Sequence, residues 1–306
     1  MKIIGQLRYF SISLIFLLVW SAAVAQQQNR PNIYLPNNAV LYTYQDHLGY
    51  MWFGTYDGLS FYNGTEIITY RHEPSNPLSL CSNIIYKITA ADKDHIWIST
   101  TMGLNKLSLL TRKITASYPA LSKLVHIESD AGGDTWMIPS DQLLLHYKSG
   151  DDSVDSIVLA NKDLSLLNIN RLFIVDSALL ILKTDGHLLS KNIAEIRGKK
   201  KISGQEVQIH KRRIAKACLS GNDLYFVDDQ FDVFQYDLLT SRTHHLNNIK
   251  SLIHEDYGFI AQIEYYDKSV YVALKNSGVL KVGRGNGDQS VWIRPGVSVF
   301  CLLTDR

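Results

Sequence analysis

Few residues of this 306-residue chain are of a type and spacing that could do chemistry. His244 and His245 are adjacent and His254 follows nine residues later, a grouping that could suggest a metal. No carboxylate or thiol stands at ligand spacing beside them. A polar turn after the strand Val233-Phe234-Gln235-Tyr236 accounts for the pair. Cys81, Cys218 and Cys301 form neither a Cys-x-x-Cys pair nor a disulfide framework, and they read as small buried hydrophobes. The sequence has no Gly-x-Ser-x-Gly elbow, no His-Glu-x-x-His and no phosphate loop. A glycosidase pair of carboxylates could come from any two parts of the chain. The aspartates, however, stand where turns are expected, as Asp57 does before Gly58. No catalytic residue, cofactor or metal is assigned, and the chain as it stands is not expected to be an enzyme.

Two further groups invite a binding role. Arg197, Lys199, Lys200, Lys201, Lys211, Arg212 and Arg213 make one basic cluster, which reads as a solvated hairpin loop, with an acidic saccharide as the alternative partner. A formal net charge of +2 gives no case for nucleic acid. Trp52, Trp97 and Trp136 could be taken for a sugar-stacking platform, but their place within strands makes them core residues. Exposed turn residues, His47, Tyr50 and Tyr56, are the better ligand candidates. Asn63-Gly64-Thr65 is a formal glycosylation sequon, but Asn-Gly is first a hairpin signal, because both positions tolerate positive φ.

The elements that must position these residues follow an exported leader. Lys2 and Arg8 precede the apolar run Ile12 to Trp20, and Ala23-Val24-Ala25 is a small-x-small cleavage signal followed by three glutamines. The run is shorter than the ~20 residues a spanning helix needs. Residues 1–25 are therefore expected to be a signal peptide cleaved after Ala25, leaving residues 26–306 as an exported, periplasmic domain with no membrane span.

That domain repeats. Gln45 to Thr55 (QDHLGYMWFGT), Asp92 to Thr100 (DKDHIWIST) and Asp130 to Ile138 (DAGGDTWMI) each carry an acidic turn followed by a tryptophan-centred strand, and the tryptophans are 45 and 39 residues apart. Leu180, Tyr225 and Tyr271 continue the series at steps of 44, 45 and 46. Each unit contains four short apolar runs separated by Asp, Gly and Asn, with no convincing helical period. Four strands per unit of this length predict an all-β fold, a β-propeller of four-stranded antiparallel blades. Trp52, Trp97, Trp136, Tyr225 and Tyr271 would fill the spaces between neighbouring blades. Val297 to Asp305 reads as the first strand of a seventh unit, so about six blades plus one strand are expected, with the ring incomplete and the reading frame truncated.

The stretch from Gln45 to Gly64, with Gly49-Tyr50-Met51-Trp52-Phe53-Gly54-Thr55, Asp57-Gly58-Leu59 and Tyr62-Asn63-Gly64, resembles the two-component regulator propeller repeat. Tyr70 to Ile85 is similar to that family's inter-blade link. The resemblance implies the sensor region of a Bacteroidetes-type hybrid histidine kinase, which reads oligosaccharides in the periplasm and works with a second propeller and the remaining sensor-kinase domains. Kinase and output domains do not occur in the sequence. The alternatives are a stand-alone exported propeller that binds glycan or protein, and a secreted polysaccharide-degrading propeller enzyme.

Overall fold

Short runs of β-branched and aromatic residues, each closed by an Asp, Gly or Asn turn, cannot bury two faces alone, so they pack sheet on sheet. In the computed structural model they form six antiparallel sheets arranged as blades around a ring. The structure describes residues 35, 37, 39–122, 124, 126–140, 143–159, 168–202, 204–254, 256–283, 289–295 and 298–303. The expected leader and Val297, Thr304 and Asp305 lie outside the described residues.

Blade 1 shows the plan: Val40–Gln45 innermost, then Met51–Thr55, Gly58–Tyr62 and Ile67–Tyr70, each paired antiparallel with the one before. Blades 2 to 6 repeat it over residues 85–118, 127–159, 169–208, 214–248 and 260–295. The core is accordingly split into five apolar layers, one between each successive pair of blades. Trp52 fills the first layer, Trp97 the second, Trp136 the third and Tyr225 the fifth, all with 2% exposure or less. Leu180 holds the same register in the fourth.

Two glycines explain the tight packing of blade 1. Gly54 pairs with Tyr42 on the innermost strand, and a Cβ there would lie 2.7 Å from Ile85 Cγ2 of the next blade. Gly58 has φ +110°, and a Cβ there would meet the Tyr70 carbonyl at 2.4 Å. The turn between them is closed by a buried hydroxyl: Thr55 Oγ1 donates to the Gly58 carbonyl and accepts from Asp57 N–H. Thr100 repeats this with Gly103 and Met102.

The structure corrects the sequence reading in several places. Tyr271 keeps the register of the blade aromatics but is only half-buried, because the outer face of blade 6 has no full sheet against it. Substituting Tyr225 by Ala is therefore expected to cost about 3–5 kcal/mol and Tyr271 by Ala less than half of that, as urea denaturation of the two variants would show. Asn63-Gly64 does not form a two-residue turn. It opens a four-residue loop in which Asn63 Oδ1 accepts from Thr65 N–H, Thr65 Oγ1–H and Glu66 N–H, and only Gly64 takes positive φ. Cys218 is buried, whereas Cys81 and Cys301 are half-buried, and all three are free.

His244 and His245 lie within the strand Arg242–Asn248 rather than in a turn, and His245 Nε2 stands 2.8 Å from Asp232 Oδ1. The basic cluster is no simple hairpin. Between the third and fourth strands of blade 4 the chain forms a one-turn helix, Ile193–Ile196, and a short strand, Lys201–Ile202, that joins blade 3 in parallel at Val158 and Leu159. Arg197 reaches Asp130 and Asp134 of blade 3 at 3.1 and 3.0 Å, and Arg212 reaches Asp228 and Asp232 at 2.8 and 2.7 Å.

Blades 6 and 1 are joined through Ser298–Leu303. Val299 N–H donates to the Lys275 carbonyl, Gln262 exchanges two hydrogen bonds with the Leu302 backbone, and Thr43 Oγ1 lies 3.6 Å from Cys301 Sγ. The segment expected as a seventh first strand thus occupies the seventh innermost position, without a strand ladder of its own.

Candidate functional site

In five of the six blades the innermost strand opens with an aliphatic residue and then a bulge. The register shifts between Val40 and Tyr42, Ile85 and Lys87, Ile169 and Arg171, Ile214 and Lys216, and Ile260 and Gln262. A bulge adds one residue to the strand and re-aims the next side chain. Here it brings Tyr42, Lys87, Arg171, Lys216 and Gln262 to the walls of an axial cavity. His126 is the equivalent residue of blade 3, its carbonyl accepting from Ile138 N–H.

The cavity has two chambers that share Tyr42, Lys87, Arg171, Gln262 and Cys301 where they meet. The upper chamber, about 410 Å³, lies at the N-terminal ends of the innermost strands, and Tyr86, Phe300 and Asn170 complete its wall. The lower, about 360 Å³, lies toward their C-terminal ends and is lined by Tyr44, Thr89, Glu128, Cys218 and Glu264 among others. Both volumes fall in the range of small-molecule sites.

The charges are divided between the chambers. Glu128 and Glu264 line the lower one, while among the described residues no Asp or Glu lines the upper one. Lys87 Nζ donates to Glu128 Oε1 and to the Ile127 carbonyl, both at 2.7 Å. Burial pulls the Lys87 ammonium below its usual range, with Glu128 opposing and Arg171 adding to the pull. Arg171 is held charged: burial works against it, but the groups around it, Glu128 first and Glu264 among them, together outweigh burial. Burial first, and then the neighbouring Lys87, Arg171 and Lys216, push His126 down to about 4, so its ring is neutral at pH 7. Burial raises the Tyr42 phenol to about 12, keeping its hydroxyl as a donor. A cavity with aromatic faces, an amide, neutral hydroxyl and imidazole groups and fixed cations can bind a polar ring compound: rings stack on apolar faces and polar groups take up hydroxyls.

The turn residues singled out in the sequence are not brought together. His47 and Tyr50 belong to the turn after the first strand of blade 1, on the end where the lower chamber opens, and Tyr56 belongs to the next turn, at the other end of Met51–Thr55. His47 and Tyr56 are exposed, whereas the Tyr50 ring meets the edge of Phe61 at 5.4 Å and lies 5.9 Å from the Arg112 guanidinium. The acidic turn itself is structural. Asp46 Oδ1 accepts from Leu48 and Tyr50 N–H, and its Oδ2 accepts from Trp52 Nε1–H at 2.9 Å. Sequence reasoning missed the axial residues altogether. The signal was present, an aliphatic residue followed two places later by a long polar one, in Ile85-Tyr86-Lys87, Ile169-Asn170-Arg171, Ile214-Ala215-Lys216 and Ile260-Ala261-Gln262.

Comparison with known proteins places this arrangement. Residues 34–57 match the family model described as two component regulator propeller. No curated protein matches the chain. Among solved structures, the extracellular domain assigned to a hybrid two component system of B. thetaiotaomicron is similar over 88% of this chain and 36% of its own, at 20% identity and a TM-score of 0.61. PorZ, a bacterial surface component of the type-IX secretion system of Porphyromonas gingivalis, is similar over 85% and 33%, at 12% identity and a TM-score of 0.60. The Cps50 (Swd1) β-propeller domain of Myceliophteria thermophila matches over 86% and 90%, at 11% identity and a TM-score of 0.62. These likenesses establish the propeller fold, and the chain spans about a third of the length of the first two structures. Among the described residues no helix is long and apolar enough to cross a membrane.

Proposed function

We propose that this chain, a two-component regulator propeller protein whose first blade carries the family's repeat, is the ligand-sensing module of an exported hybrid two-component regulator, and that its ligand is an oligosaccharide. The axial cavity carries the reading. One residue from each of the six blades, five of them at bulges, converges on it, and the upper chamber sets the rings of Tyr86 and Phe300 beside Asn170, Gln262 and Lys216. A sugar offers just such a mixture of C–H faces and hydroxyls. Export rests on the leader read from Met1 to Ala25, and the family repeat supports a periplasmic setting beside a second propeller and the remaining sensor-kinase domains. His47 and Tyr50 at the lower end, and Tyr56 at the upper, are rim positions for the ends of a longer ligand. The acidic side chains support binding over catalysis, since Asp46, Asp130, Asp134 and Asp228 are each committed to turn amides or to a basic partner.

The test is calorimetric titration of residues 26–306 against a panel of plant and host oligosaccharides, together with Tyr86→Ala and Asn170→Ala. Binding of at least one saccharide, weakened about tenfold or more by each substitution, is the expected result. A panel without a binder, or a binder indifferent to both substitutions, refutes the axial reading.

A further inference from the structure

The upper chamber has a charge its own walls do not neutralise. Lys87, Arg171 and Lys216 line it, His126 is neutral there, and among the described residues no carboxylate shares the wall. Two of the cations have compensation from below. Lys87 is bonded to Glu128, and Arg171 feels Glu128 and Glu264 while its Nη1 reaches the Ala217 carbonyl at 3.4 Å. Lys216 differs from both. Its ammonium has no hydrogen bond and no ion pair among the described residues, and the residue is exposed where it lines the chamber. Burial among the blades, and after it the Arg171 charge, disfavour its ammonium. Three cations gathered around one cavity repel each other, and a chain keeps such an arrangement at a cost in stability unless an anion relieves it. The aromatic walls limit what that anion can be attached to. Tyr86 and Phe300 flank the space, Tyr42 contributes a protonated hydroxyl, and Asn170, its Nδ2 donating to the Ile214 and Ala215 carbonyls, lines the wall. A bare inorganic ion would use none of these.

Resting on the oligosaccharide reading and narrowing it, we propose that the upper chamber holds an anionic subsite, centred on Lys216 and backed by Arg171, that takes the carboxylate of a uronate residue in an acidic oligosaccharide. The carboxylate lies against the Lys216 ammonium and the sugar ring against Tyr86 or Phe300. The glycosidic chain leaves through the open upper end. The two carboxylates of the lower chamber turn the ligand's charge away from that side and fix which end of the cavity is occupied.

The experiment titrates residues 26–306 with a uronate trisaccharide, with its carboxyl-reduced neutral counterpart and with a sulfated disaccharide, at two salt concentrations. The protein is used as the native chain and as Lys216→Met, a substitution that keeps the stem and touches no hydrogen bond. The uronate trisaccharide is expected to bind about tenfold to a hundredfold more tightly than the neutral one, the range of one charge-assisted contact. That advantage shrinks as salt rises. Lys216→Met brings the ratio of the uronate to the neutral affinity down to about one. Equal affinity for the acidic and neutral trisaccharides, unaltered in the variant, overturns the subsite and leaves the oligosaccharide reading standing. Tight binding of the sulfated disaccharide with none of the uronate overturns the carboxylate assignment. Absence of binding by all three saccharides overturns both the subsite and the oligosaccharide reading.

Discussion

Replacing Trp52 by Ala is expected to destabilise the propeller by about 3–5 kcal/mol, the usual loss for a fully buried large aromatic. For a chain of this size that corresponds to a fall in melting temperature of roughly 6–20 °C. The side chain is 0% exposed. Its ring packs on Phe61 at 4.7 Å and on Tyr70 at 6.1 Å, inside the layer that joins blades 1 and 2. Deleting it leaves a void that Gly54 and Gly58 cannot help to fill, since the backbone is already in contact at both. It also leaves the Asp46 carboxylate, 5% exposed, without the Nε1–H it accepts. Trp52→Phe is therefore expected to restore most of the packing but not the last kilocalorie or so, which belongs to the Asp46 contact. In a double-mutant cycle Trp52→Phe and Asp46→Ala should couple, because each removes one side of the same bond. Urea denaturation of the four proteins measures this. A Trp52→Ala variant within 1 kcal/mol of the native chain would mean that the aromatic does not hold the layer.

The cycle matters because Asp46 and Trp52 together are the repeat as it can be read in sequence. An acidic turn and a central tryptophan recur in the first three blades because each needs a turn clamp and a large filler against its neighbour. Those demands are local, so they leave a periodic trace, and the six blades and five layers could be anticipated from it. Where the demand is not local, the trace is lost. The excursion from Ile193 to Ile202 is an insertion within blade 4 whose partner strand is Ser153–Leu159, some forty residues earlier, and nothing in its own composition says so. His245 looked like a turn residue because its partner, Asp232, stands on the adjacent strand and not beside it in sequence.

The axial residues were hidden for a different reason. A period-two reading assigns alternate residues to two faces, and the bulge interrupts the alternation at the one position that lines the cavity. Lys87, Arg171 and Lys216 then look like ordinary polar positions of half-buried strands. Only closure of the ring brings them together, since each comes from a different blade. The same ring geometry gives Ser298–Leu303 its importance: its residues Phe300 and Cys301 form the wall of the upper chamber between blades 6 and 1. The part of the molecule with the least regular structure thus completes the part with the most specific chemistry.

That chemistry makes the axis sensitive to acid, and His126 is the group that reports it. Its folded-state value of about 4 lies below the ordinary 6.5. Between those two values the unfolded chain binds a proton that the folded chain does not. Stability must therefore fall as pH is lowered from about 6.5 toward 4, the full loss being reached below the lower value. The difference corresponds to on the order of 3 kcal/mol. Burial is the larger cause, and the charges facing the ring, Lys87, Arg171 and Lys216, add to it with the same sign. The carboxylates with lowered values, among them Asp134 and Asp232, lose their contribution only below about pH 4, so the two windows are separable. Melting temperatures of the native chain, recorded from pH 7 to 4.5, are expected to decline steadily, and those of His126→Gln to stay nearly level over the same interval. Lys216→Met should lie between them, since it removes one of the three repelling cations and leaves the burial in place. Parallel pH profiles for the native chain and His126→Gln would show that the imidazole is protonated without penalty, and with it that the upper chamber is not the enclosed cationic space its lining describes.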